Sequence, residues 1–252
     1  MIQWIQIAEL FILAFICGII DLSLGMGYGF TVTPLMLAIG FTPQEAVPAV
    51  LFSSFVGGCC SSIWNHRMHN VDFDFDGKAF KIAAFTAGLG VIGAIAGVYI
   101  SFNISQRILG LYIGVLVILI GALVIYSKNI ISDFSWNKMV GISLIGSLNK
   151  GLTGSGFGPI ITTGAMLSGI SEKESVSIQS LSESAVSLVG FAMYLLLGGY
   201  VDYQVLAIMS AGVVLASPLA ARIVHRIDGK SLRILVGILA VIIGAYTIWK
   251  YI

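Results

Sequence analysis

Asp21, Lys150 and Glu183 each stand within long apolar stretches of the chain. A charge at membrane depth is costly, and it tends to face a cavity, a partner or a transport path. Asp21 precedes the run Gly25-Met26-Gly27-Tyr28-Gly29 by four residues, and Lys150 precedes Gly154-Ser155-Gly156-Phe157-Gly158 by four. Glycine costs roughly 1 kcal/mol against alanine in a helix interior. Three alternate glycines in five residues therefore predict a broken helix. Simple helix packing is a poorer explanation, because residues i and i+2 lie about 200° apart on a helix. A helix that restarts after such a break offers unpaired N–H groups and the positive end of its dipole, which suits an anion. The expected substrate-binding residues are Gly25, Gly27, Gly29, Gly154, Ser155, Gly156 and Gly158, with Ser53, Ser182 and Lys150 nearby. Asp21 and Glu183 are candidates for carrying a coupling proton; structural pairing is the competing role for all three charged residues.

Other chemistries find little support. His66, His69 and His225 fall in loops or at helix ends, and Cys17, Cys59 and Cys60 show no C-x-x-C spacing, so no metal site and no cofactor is expected. Neither G-x-S-x-G nor H-E-x-x-H occurs, and the glycine runs lack the G-x-G-x-x-G spacing of a dinucleotide fold. An intramembrane enzyme is thus a weak alternative, and a passive anion channel a stronger one. No basic stripe with interleaved aromatics suggests a nucleic-acid partner.

The elements that position these residues are membrane helices. Of 252 residues, 58% are hydrophobic and 10% charged, where soluble domains carry about 25% charged residues; the mean hydropathy is +0.99. The chain reads as an all-α polytopic protein of the lipid bilayer, and its first apolar segment as a helix rather than a cleaved leader. Segments are expected at 3–22, 30–39, 44–64, 80–101, 106–127, 139–148, 160–170, 174–197, 205–223 and 232–252. An offset of 129 carries Gly25, Gly27 and Gly29 onto Gly154, Gly156 and Gly158. It also carries Gly40, Glu45, Val47 and Ser53 onto Gly169, Glu174, Val176 and Ser182. Two repeats follow, 1–127 and 139–252, joined by a loop at 128–138. Each contains a Gly-broken short-helix pair and then three spanning helices.

Lys and Arg gather in the 65–81 linker, the 222–233 loop and the 128–138 loop, and are absent from 198–203. Placing the basic loops in the cytoplasm puts both termini outside the cell membrane and gives the repeats inverted topology. Inverted repeats would bring the two restarted helices together near the midplane, and rocking of one repeat against the other would give alternating access. Glu45 and Glu174 read as acids favouring helix starts. The Ser177, Ser180, Ser184 and Ser187 stripe, with its small polar counterpart at Ser53–Ser62, reads as either a pathway or a packing surface.

The two halves, each with Gly-x-Gly-x-Gly, a short segment and Gly-x-x-x-x-Glu, resemble the sulfite exporter TauE/SafE family over about residues 8–250. The resemblance implies a permease that moves small sulfur-containing anions such as sulfite or organosulfonates, usually outward. The halves differ in one respect: the first delays its proline to Pro34, while the second has Gly158-Pro159.

Overall fold

A computed structural model describes residues 4–25, 28–126, 135–226 and 230–252, and these form ten helices with no strand among them. The first half contributes α1 (Trp4–Leu24), α2 (Tyr28–Ala38), α3 (Pro43–Arg67), α4 (Lys78–Asn103) and α5 (Gln106–Tyr126). The second contributes α6 (Trp136–Thr153), α7 (Phe157–Leu167), α8 (Glu172–Leu196), α9 (Tyr203–Arg226) and α10 (Lys230–Tyr251). Among the described residues, five helices are long and apolar enough to cross a membrane: α1, α3, α4, α8 and α9. Large apolar side chains such as Ile92, Leu119, Leu215 and Ile242 point outward from the bundle, as lipid contact requires. Tyr126, Tyr200, Tyr203, Trp136 and Trp249 are exposed near helix ends, where amphipathic rings suit an interface.

Three helices depart clearly from the sequence expectation. The short helices α2 and α7 start earlier, because the third glycine of each run lies inside the helix rather than in the break. Helix α6 is longer than the expected 139–148 segment. It takes in Trp136–Lys138 from the stretch read as loop and runs on past Lys150 to Thr153. Nothing in that sequence stops it until Gly154, whose φ of 70° closes the helix in the left-handed region. The rest of the inter-repeat loop, residues 127–134, lies outside the described residues.

The Gly-x-x-x-x-Glu motif is a helix stop followed by a helix start. Gly40 and Gly169 have positive φ, and the next N–H in each case, Phe41 or Ile170, reaches back to Met36 or Ala165. This pairing ends α2 and α7 in the same way. Three residues later the chain starts again. Thr42 donates its N–H to Glu45 Oε2 at 2.8 Å, and Ser171 Oγ accepts the Glu174 N–H at 3.4 Å. Both acids therefore serve helix starts, as expected.

Exchanging each helix for the one five places later reproduces the main packing pairs. Helix α1 packs on α9 and α4 on α6; α3 packs on α9 and α8 on α4; α3 meets α8 and α5 meets α10. Two three-helix groups result, α1–α3–α9 and α4–α6–α8, each with members from both halves of the chain. Rocking of one whole repeat against the other would have to part α1 from α9 and α6 from α4, which pack closely. At the α5–α10 crossing, a Cβ on Gly244 would meet the Gly114 carbonyl oxygen at 2.8 Å, and one on Gly114 the Gly244 carbonyl oxygen at 3.0 Å. Small residues there permit backbone approach. The serine stripes also pack: Ser61 Oγ donates to Ser180 Oγ at 3.4 Å, and Gly58 lies against Ser180 and Ser184.

Candidate functional site

The two glycine breaks touch. A Cβ on Gly29 would overlap the Gly154 carbonyl oxygen and come within 2.6 Å of its carbonyl carbon and 3.1 Å of Ser155 Cα. Only a residue without a side chain lets α2 start this close to the end of α6. The contact has a second component on each side. Thr162 of α7 donates its hydroxyl to the Gly25 carbonyl at 2.7 Å. Thr33 of α2 lies at Gly154, where an added Cβ would stand 3.3 Å from its Oγ1. Thr33 and Thr162 are themselves 129 residues apart. Each short helix thus places a threonine on the break of the other half.

Local geometry at the second break follows from its residue types. Gly154 donates its N–H to the Lys150 carbonyl at 2.8 Å, and Ser155 donates its N–H to Thr153 Oγ1 at 3.0 Å. Gly156, with φ 87°, then starts α7 without a side-chain cap. Gly158 and Pro159 fall in the first turn of α7, where proline's missing N–H costs little. At the first break, Gly25 has φ 63° and donates its N–H to the Asp21 carbonyl at 2.6 Å. Asp21 and Lys150 therefore hold equivalent places, each accepting from the glycine that ends its helix. Gly27 lies outside the described residues.

The crossing is dry and polar. Asn149 to Pro159 are all buried, as are Asp21 to Gly25 and Tyr28 to Phe30. Three hydroxyls there, on Tyr28, Thr33 and Ser155, are buried with no hydrogen-bond partner. Buried polar groups are nearly always paired, and leaving one unpaired costs about 1–3 kcal/mol. Three of the unpaired buried hydroxyls thus belong to residues at or next to the two breaks. Ser53 stands beside Tyr28 but out of hydrogen-bonding geometry with it, and gives its proton to the Ala49 carbonyl at 2.7 Å. Ser182 does the same to Ile178 at 2.8 Å. These two serines are bonded within their own helices.

Lys150 and Glu183 meet. Lys150 is fully buried and Glu183 is 3% exposed, and Nζ lies 2.5 Å from Oε1. The ammonium also donates to Ser54 Oγ at 2.8 Å, and Gln179 Nε2 donates to the second carboxylate oxygen of Glu183. Ser54 and Glu183 are again 129 residues apart, so the ammonium sits between equivalent positions of α3 and α8.

Access differs at the two ends. A cleft of about 280 Å³ is lined by Ser23, Leu24, Lys173, Val176, Ile223 and Val224. Leu24 directly precedes Gly25, so the cleft runs up to the first break. At the equivalent place on the other side, Tyr194 donates its hydroxyl to the Gln44 carbonyl at 2.7 Å, and its ring packs on Phe102 with centroids 4.8 Å apart. These side chains bridge α8, α3 and α4 at that end.

Sequence reasoning named the glycines, Lys150 and Glu183, and placed Ser54 and Gln179 in polar stripes, but it did not single out Tyr28, Thr33 or Thr162. The 129-residue offset carried the signal for the two threonines, since it pairs them as it pairs the glycines. Among the described residues, no cluster of His, Cys, Asp or Glu is arranged to hold a metal ion.

With this geometry in place, comparison with known proteins gives a consistent result. The family model for the sulfite exporter TauE/SafE matches residues 10–247. The chain belongs to the TauE/SafE family. A probable membrane transporter protein of Bacillus subtilis (strain 168), YtnM, is 28% identical over 259 residues, covering 95% of this chain and 83% of its own length. Membership in TauE/SafE makes this chain a multi-pass membrane transporter and not an enzyme. In this TauE/SafE chain the family match spans both glycine breaks and every helix that carries a residue of the crossing.

Proposed function

We propose that the chain carries small sulfur-containing anions, such as sulfite or an organosulfonate, across the cell membrane by alternating access, with the anion resting where the two glycine breaks meet. The observation that carries this reading is the crossing of Gly29 with Gly154 and Ser155, ringed by the unpartnered hydroxyls of Tyr28, Thr33 and Ser155. Three buried hydroxyl donors on adjoining segments suit the oxygens of a tetrahedral or pyramidal oxyanion. The uncapped start of α7 adds its N–H groups and the positive end of its dipole. Gly25, Gly156 and Gly158 shape the backbone around the anion, and Ser53 and Ser182 stiffen the helices behind it.

The exchange of packing partners fits two repeats related by a two-fold axis, and the basic loops, placed in the cytoplasm, make those repeats inverted with both termini outside. In this arrangement the moving bodies are the groups α1–α3–α9 and α4–α6–α8, which pivot at the α3–α8 contact. The cleft beside Leu24 opens on the side of the 222–233 loop, so this conformation faces the cytoplasm. The closed Tyr194–Gln44 contact is the outer seal. Purified protein in sealed vesicles should show saturable sulfite or sulfonate flux, at rates far below those of a channel. Absence of flux for every small oxyanion, or currents of channel size, would contradict the proposal.

A further inference from the structure

Lys150 and Glu183 form a fully buried ion pair, and the anion site as drawn so far does not use it. Its charges cancel, so the crossing presents no net cation while the pair is intact. Stability does not explain it: a buried ion pair is often no better than apolar residues of similar volume, whereas losing one partner is costly. Its placement is more telling. Lys150 lies one turn before Gly154, and its carbonyl ends the helix at the break. Its ammonium is held between Ser54 of α3 and Glu183 of α8, the contact about which the two helix groups would pivot.

Both carboxylate oxygens of Glu183 are engaged, one by Lys150 and one by Gln179. Other charges do not compensate it. Asp21 of α1 occupies the place equivalent to Lys150, and as an acid it supplies no counter-charge to Glu183. Glu45 and Arg67 stand at the two ends of α3, Lys78 and Lys81 at the start of α4, Lys138 at the start of α6, and α7 carries no charge. Among described residues, Lys150 is the counter-charge of Glu183.

We infer that the anion and a proton bind together by an exchange of partners at this pair. The anion takes the Lys150 ammonium from Glu183, and Glu183 takes up a proton as it loses that cation. The flexible four-carbon stem of lysine allows the ammonium to turn toward the break one turn away. Before binding, the pair is Lys⁺ with Glu⁻; afterwards it is Lys⁺ with the anion, beside a neutral carboxylic acid. One proton thus enters with each monovalent anion, and the buried region stays neutral throughout. A bare anion would leave Glu183 charged and unpaired in a dry interior, which is the costly state. Intramembrane carboxyls commonly relay protons for this reason. This inference rests on the transport reading above.

The test uses the full chain in weakly buffered vesicles with a trapped pH indicator. The probe is isethionate, whose sulfonate stays ionised and so carries no proton of its own. The expected result is about one proton moved with each isethionate, and accumulation of isethionate driven by an imposed pH gradient. Glu183→Gln should abolish proton movement and gradient-driven accumulation while isethionate counterflow remains measurable. Lys150→Met/Glu183→Gln leaves no buried charge unpaired, and it should fold yet lose isethionate flux. Wild-type isethionate flux without proton movement overturns the inference, as does gradient-driven accumulation by Glu183→Gln. The wild-type measurement decides the matter even if a variant does not fold. If another small oxyanion is carried instead, the proton count is made with that anion at a pH where it is fully ionised; absence of wild-type flux for every small oxyanion counts instead against the transport reading on which the inference rests.

Discussion

Gly29→Ala perturbs the crossing with a single methyl group. The new Cβ would overlap the Gly154 carbonyl oxygen and lie 2.6 Å from its carbon, where ordinary contacts are 3.4–4 Å. The obstacle is backbone, so no rotamer change relieves it. Either α2 backs away from the end of α6 or the Gly154 peptide turns. Overpacking in a close-packed interior costs about 1–3 kcal/mol, and this case belongs at or above the top of that range. Alanine's better helix propensity returns roughly 1 kcal/mol at most. Gly141 of α6 supplies the control, because a Cβ there meets nothing within 4 Å. Thermal unfolding in detergent should show a clear loss for Gly29→Ala, and an unchanged or slightly raised midpoint for Gly141→Ala. Vesicle flux should fall to background for the first and stay at wild-type level for the second. Wild-type flux and stability in Gly29→Ala would refute the claim that the two breaks are in contact.

Three further substitutions separate site from scaffold. Ser155→Ala removes a buried hydroxyl that has no partner, so stability should hold or rise while the half-saturating anion concentration climbs about tenfold or more, as for a lost hydrogen bond to a charge. Equal losses of stability and flux would oppose that assignment. Thr162→Val deletes the bond to the Gly25 carbonyl at 2.7 Å, with an expected cost of about 1 kcal/mol, read as a lower denaturation midpoint. Lys150→Met should destabilise by about 3–5 kcal/mol, and adding Glu183→Leu should recover most of it; additive losses in a double-mutant cycle would show that the two charges are not paired.

The fold was largely legible because apolar segments long enough to span leave little ambiguity. The glycine runs were legible in part: the chain breaks at the first two glycines of the second run, while the third glycine of each run lies inside a helix, and Gly29 there serves close packing. Three things were hidden. The extent of α6 was missed because polar residues at Ser147, Asn149 and Lys150 look like a segment end, although the helix holds them buried. The interleaving of the halves was invisible because sequence order suggests that each repeat is a compact body, whereas packing pairs α1 with α9 and α4 with α6. The partner of Lys150 was unreadable because Lys150 and Glu183 are 33 residues apart and on different helices. Glu45 and Glu174 were read correctly as helix-start acids, since capping is local and its spacing is fixed. The Ser177–Ser187 stripe had two readings, and its contacts with Gly58 and Ser61 favour packing.

Where the anion rests is tested most directly by a structure determined with selenite, a heavy mimic of sulfite whose selenium can be located by its anomalous scattering. The account predicts one selenium peak at the crossing, within hydrogen-bonding reach of the Tyr28, Thr33 and Ser155 hydroxyls and facing the start of α7. A peak confined to the cleft at Ser23 and Lys173, or none at the crossing under saturating selenite, would contradict it.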